Sequence, residues 1–514
     1  MDKQSKTSHI LQIGSENWLE QVEIPEEMGW HYFSGQDLSS LKEYMEEQEI
    51  QKFKALLLDR PEDLLALKDQ MDFFQPYTIF YNHHFQQEAF PEEVKELLRL
   101  KQVRAWDFSD KSRFLYQVTR FLYDGQYGDA FTAYDIRIRP DFLGSQTVLG
   151  KHLLQLKGAF GKDFTPLAQW VYNYVYDGIT PINLWLEYEK EPSCQLQLRI
   201  QFFQRGGISE LVKEIVYSEE DLKEPILLDD FERYYLSFCL EAKGEGELKI
   251  GALHKRFSHG PFGEMTIGAQ TLRDSKRQEI FAYFHPGDLK PPLNIYFSGY
   301  RPAEGFEGFV MMRRMGSPFI LFSDPRLEGG SFYMGSQELE DQIVAYIDQH
   351  LDWLGFGPKE MNFSGLSMGT FGALYYGASY SPHAILVGKP IINLGDVAAN
   401  LKFKRPDEFG TSLDMMQLLV GQVSREGIDL LNQRFWNRFN QADLKDTILA
   451  LAYMRDDDYD QLAYPKILEA LYDHPVRIIS SSRPGRHNDA TAPIVEWFLT
   501  QYKEIMERDF GRIE

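Results

Sequence analysis

The chain has 514 residues, 43% of them apolar and 25% charged, which fits a folded protein of roughly two to four domains and excludes the disordered class. A formal net charge of −23 repels phosphate backbones and anionic headgroups, so nucleic acid is not an expected partner. No stretch approaches the ~20 apolar residues of a membrane span, the start MDKQSKTSHILQIGSENW lacks the regions of a secretory signal, and Cys194 and Cys239 are too few for a disulfide framework or a thiolate metal site.

Residues 1–130 alternate short apolar runs (ILQIG, KALLLD, YTIFYN, VRAWDF) with amphipathic segments (PEEVKELLRL, KSRFLYQVTRFLY), a rhythm that predicts a small α/β domain. The turn after ILQIG carries a single glycine, Gly14, and the chain has no GxxxxGK[ST], so nucleotide fingerprints are missing. Residues 131–285 alternate and are rich in aromatics, which predicts an antiparallel β-sandwich. In LAQWVYNYVYDG, a single strand would put Trp170, Tyr172, Tyr174 and Tyr176 on one face, as core or as a stacking surface for sugar rings. RFSHGPFGEMTIG, with His259, reads as a turn of that sandwich.

Residues 286–514 return to strand and helix alternation: NIYFSG, FILFSD, MNFSG, HAILVG, ILALAYM and VRIISSS read as strands of a doubly wound parallel sheet, with a helical insertion at about 396–446. Within it Gly365-Leu366-Ser367-Met368-Gly369 matches GxSxG between a strand and a helix, where a serine hydroxyl stands above the sheet edge and the next amide, that of Met368, faces a developing oxyanion. A serine nucleophile needs a base and an orienting acid, in chain order Ser, Asp, His. His487 follows the last strand, and Asp456, Asp457, Asp458 and Asp460 follow the one before. Asp457 is chosen as the acid; its neighbours could instead cap a helix or face water. Gly299 or Tyr300, after NIYFSG, occupies the place of the second oxyanion donor. With no HExxH, CxxC or EF-hand loop, and with His83 and His84 merely adjacent, no metal is expected.

The three-part layout, the NFSGLSMGTFGALYYG elbow, the AYMRDDDYD strand end and the SSSRPGRHNDA loop resemble accessory secretory protein two of the Gram-positive accessory Sec system. The resemblance covers nearly the whole chain. It implies an α/β-hydrolase-like C-terminal domain with a triad at Ser367, Asp457 and His487, O-acetylation of N-acetylglucosamine on serine-rich-repeat glycoprotein adhesins, and a requirement in their export. It also implies partnership with accessory secretory proteins one and three and the accessory motor ATPase, in the cytoplasm and peripherally at the membrane translocon. No bound cofactor is expected; acetyl-CoA is an obvious donor without a recognisable binding motif. Two other readings stand beside the transferase: a carbohydrate acetylesterase, and an export scaffold in which the triad is idle.

Overall fold

The computed structural model describes residues 8–25, 28–35, 40–85, 90–206, 210–328, 330–404 and 410–512. Contacts divide the chain into two compact units, the first taking residues 1–125, 259–269 and 284–289 and the second the remainder.

The first unit is built on a five-stranded parallel sheet in the order Met28–Ser34, Ser8–Gly14, Ala55–Leu58, Ile79–Asn82, Arg104–Trp106. The middle strand, ALLL, is buried at every residue, as a parallel strand covered on both faces must be. Helix Glu92–Leu100 turns Val94, Leu97 and Leu98 inward, an i, i+3, i+4 stripe. Helix Lys111–Phe121 starts at Asp110, whose side chain accepts from the Arg113 amide, satisfying one of the orphan donors of the first turn. The segment around His259 belongs here and not to a sandwich turn. His259 is fully buried with its ring nitrogens 3.2 and 3.0 Å from the carbonyls of Phe121 and Gly125. Phe262 packs against Phe80 and Trp106. The pull is burial: a histidine and a phenylalanine that a turn would leave wet are instead taken into this core.

In the second unit, residues 128–257 form an antiparallel sheet of ten strands over one core. Strand Tyr234–Phe257 is 24 residues long and pairs with Cys194–Gln204 along its first half and with Ile182–Lys190 along its second. The aromatic run is not one strand. Leu153–Trp170 ends at its tryptophan, residues 171–173 turn, and Tyr174–Tyr176 pairs separately with residues 234–236. Trp170 and Tyr176 are each 1% exposed, whereas Tyr172 is 60% exposed. The turn takes Tyr172 out of the alternation, while Trp170, Tyr176 and the partly buried Tyr174 pack on one core.

The remaining strands make an eight-stranded sheet: Gln270–Arg273, Glu279–His285, Phe319–Ser323, Leu293–Phe297, Met361–Leu366, Ala384–Gly388, Ile448–Met454 and Arg477–Arg483. From Phe319–Ser323 onward every pairing is parallel. This is the α/β-hydrolase-like, doubly wound sheet. The hairpin at residues 270–285 extends its edge rather than the sandwich. Helices Leu394–Lys404, Ser412–Val420 and Arg425–Phe439 lie between two strands that pair directly, Ala384–Gly388 and Ile448–Met454. Among the described residues no helix is long and apolar enough to cross a membrane.

Candidate active site

Strand Met361–Leu366 is buried at five of its six positions, and helix Gly369–Gly377 is buried throughout. The elbow between them is therefore fixed by packing on both sides. Ser367 adopts φ +52°, a left-handed conformation that a non-glycine residue holds only under constraint. Both glycines of the motif are required by contact. A Cβ on Gly365 would stand 2.2 Å from the Gly369 carbonyl oxygen, and one on Gly369 would stand 2.0 Å from that of Phe297. The Ser367 amide donates to Gly388 O at 2.8 Å, and Thr370 Oγ1 donates to Ser367 O at 2.6 Å while accepting from the Ile391 amide.

Ser367 Oγ lies 2.8 Å from His487 Nε2, and His487 Nδ1 lies 2.8 Å from Asp457 Oδ2. A carboxylate can only accept, so Nδ1 carries the imidazole proton and Nε2 offers its lone pair to the serine hydroxyl. His487 and Asp457 are 1% and 5% exposed. Burial alone would raise the Asp457 carboxyl, but the His487 ring and the amides of Tyr459 and Asp460 outweigh it and hold it below the usual carboxylate range. The acid is thus charged where an imidazolium would form.

The other aspartates of the run each hold a piece of backbone. Asp456 accepts from the Gly485 amide and Asp458 from the His487 amide, at 3.2 and 3.0 Å, so together they clamp the histidine loop. Asp460 accepts from the amides of Ile392 and Asn393 and from the Asn393 side chain. Burial raises the Asp460 carboxyl, with those donors opposing. Neither helix capping nor plain solvation describes these three residues.

Met368 precedes the elbow helix as its N-cap and is 3% exposed, which leaves its amide among the donors without an intrahelical acceptor. Gly299 also lies against the elbow, with Leu366 O 3.1 Å from where its Cβ would be. Its amide, however, donates to Glu307 Oε2 at 2.7 Å, an oxygen that also accepts from Tyr296 Oη. The neighbouring Tyr300 is 57% exposed. Glu307 has no sequence signature, because only the folded loop brings it back onto Gly299. Lys389 is a second residue that sequence reasoning passes over. It is 5% exposed at φ +61°, directly after strand Ala384–Gly388, and its ammonium feels both Asp457 and Glu307. Its Nζ donates to Thr491 Oγ1 at 3.0 Å. The lysine in HAILVGKP, at a strand's C-terminal end beside the acid strand, is the signal that could have found it.

Such a site can deprotonate a serine, stabilise the cation so formed and present amides to an oxyanion, which is the equipment of acyl transfer. Among the described residues no cluster of His, Cys, Asp and Glu could hold a metal ion.

A family model described as Asp2, Accessory Sec system GspB-transporter, matches residues 8–512. The chain is 43% identical over 507 residues to the Accessory Sec system protein Asp2 of Streptococcus gordonii, covering 98% of each. It is 44% identical over 394 residues to the protein of that name from Staphylococcus aureus, covering 76% of this chain and 75% of the other. Among solved structures it matches a chain of the Glycosylation Associate Protein (Gap123) complex from Streptococcus agalactiae at a TM-score of 0.93 and 37% identity, over 99% of this chain and 100% of that one. A match of this length, together with the elbow and its two partners, means that the chain belongs to the accessory Sec system family of Asp2 proteins.

Proposed function

We propose that the chain is a serine-dependent O-acetyltransferase that modifies N-acetylglucosamine on serine-rich-repeat glycoproteins and serves as a component of their export by the accessory Sec system. The observation that carries the chemical half is the unbroken relay from Ser367 through His487 to Asp457 on a positive-φ elbow. Family membership supports the second half. The partners that follow are accessory secretory proteins one and three, the motor ATPase and the glycoprotein itself, with the work done in the cytoplasm beside the translocon.

In this reading Ser367 Oγ attacks the acyl carbon of an activated donor, acetyl-CoA being the one to test first, as its proton passes to His487 Nε2. The Met368 amide and, because Gly299 is engaged by Glu307, the Tyr300 amide take the oxyanion. Collapse expels the donor's leaving group with that proton and leaves an acetyl-serine. A sugar hydroxyl then attacks the acetyl carbon, gives its proton to His487, and Ser367 leaves and is reprotonated. Water in place of the sugar would give the esterase outcome.

The test is mass spectrometry of the glycoprotein glycans from cells carrying Ser367→Ala, beside a pull-down of accessory secretory proteins one and three. Loss of acetyl groups with assembly intact is expected. Unchanged acetylation would transfer the function to scaffolding, a reading favoured by the full-length match to a chain of a multiprotein complex.

A further inference from the structure

Within the second compact unit lies a cavity of about 410 Å³, inside the range of about 300–1,000 Å³ usual for small-molecule sites. Gly299 and Met368, the residue after Ser367, lie in one wall; Tyr134, in the turn Ala133–Asp135, and His152, just before strand Leu153–Trp170, lie in the other. Two of its charged groups are matched in place, while Arg301 also lines it with Nε unpartnered among the described residues. Glu304 is bound by His254 and Arg256, and Arg326 is held by Asp324 through two contacts of 2.8 and 2.7 Å. Paired charges of both signs present oriented donors and acceptors without the net positive field that phosphates seek.

Two side chains in the wall are suited to a neutral sugar. Gln278 is 8% exposed, yet its Oε1 has no hydrogen-bond partner among the described residues, and a buried acceptor of this kind gains most from a ligand donor. Tyr134 is 61% exposed and offers a ring face. Gln278, His152 and Arg326 also line a second cavity of about 390 Å³, bordered by Lys249 and Gln417, so the two cavities adjoin.

We propose that the first cavity is the acceptor subsite, which binds one neutral sugar residue of a glycan while adjoining sugars follow the second cavity. Gln278 Oε1 accepts from a sugar hydroxyl, and Tyr134 covers the apolar face of the ring. The inference rests on the acyl-transfer reading of Ser367, which it deepens by assigning where the attacking hydroxyl is held.

The test measures binding of the N-acetylglucosamine trimer, and separately of CoA, to the full-length chain by calorimetry. Tyr134→Ala and Gln278→Leu are each expected to weaken the trimer by about tenfold, the worth of one lost stacking or hydrogen-bond partner. Tyr134→Ala lies at an exposed rim and remains informative if Gln278→Leu fails to fold. Tyr472→Ala, an exposed tyrosine outside both cavities, is expected to bind as the unaltered chain does. No trimer binding, affinity indifferent to Tyr134 and Gln278, or competition between CoA and trimer would each overturn the subsite. Acetyl transfer by Ser367→Ala would overturn the nucleophile instead, and trimer binding that still depended on Tyr134 would leave the cavity assignment standing.

Discussion

Ser367 is held at φ +52° by the hydrogen bond its amide donates to Gly388 O and by the Thr370 hydroxyl donating to its carbonyl, so its conformation is set before any substrate arrives. Removing the acid should test how far the imidazole depends on orientation. Asp457→Asn is expected to lower the acetyl-transfer kcat by about 10⁴, measured by single-turnover acetylation, with the circular dichroism spectrum unchanged. The same carboxyl makes a prediction about pH. Its folded value is depressed, so its contribution to stability is present above the ordinary carboxylate value of about 4 and is lost as pH falls through the lower folded value. Chemical denaturation between about pH 5 and 2 should show a smaller loss for Asp457→Asn than for the unaltered chain. Ser367 and His487 were legible in the sequence because a glycine on each side of a serine, and a histidine after a late strand, are signals carried locally. The division of labour within Asp456, Asp457, Asp458 and Asp460 was not, since each is defined by a partner on another loop.

At the level of elements, the elbow packs strand, turn and helix backbone to backbone. Gly369→Ala would drive a methyl to within 2.0 Å of Phe297 O, and backbone cannot swing aside as a side chain can. It is expected to cost about 3 kcal/mol, read as a lower urea midpoint at constant slope. Asp458→Ala should act differently, because it frees one amide of the histidine loop without touching a reacting atom. A fall of about tenfold in kcat with little change in KM is expected, from a charged hydrogen bond worth about 1.5–3 kcal/mol and shared with neighbouring contacts; an equal rise in KM would argue against pure positioning. Five of the six parallel strands of the eight-stranded sheet could be read from their apolar runs, since buried parallel strands are continuous, whereas the edge strand Arg477–Arg483 has no buried residue and was marked only by VRII. Strand Met28–Ser34 escaped notice because MGWHYFS is only partly buried and mixes polar and aromatic residues. The aromatic run at 167–178 misled for a related reason: alternation persists in the letters across a turn that the backbone makes at 171–173.

For the whole second unit, the decisive contact is Glu304, which lies after strand Leu293–Phe297 and reaches into the antiparallel sheet. Its carboxylate meets His254 and Arg256, and Arg256 also meets Glu279. Glu304→Ala would leave two buried cations short of a partner and is expected to destabilise by about 3–5 kcal/mol, measurable by equilibrium denaturation. Burial and Arg256 act to lower the His254 pKa, but Glu304 and Glu187 outweigh them and hold it at about 9. A raised imidazole gives stability that is complete below its unfolded value of about 6.5 and is lost as pH rises through about 9. Melting temperature should therefore decline over that window, and His254→Gln should flatten the decline. The length of strand Tyr234–Phe257 has a consequence for synthesis. Leu153–Trp170, Ile182–Lys190 and Cys194–Gln204 all pair with it, so a nascent chain emerging N-terminus first cannot close that sheet until residue 257 has left the ribosome. Likewise Leu293–Phe297 sits between Phe319–Ser323 and Met361–Leu366, and the strand that leads into Ser367 completes that neighbourhood. Until then the waiting strands expose unpaired edges, templates for pairing with another chain during this interval of translation.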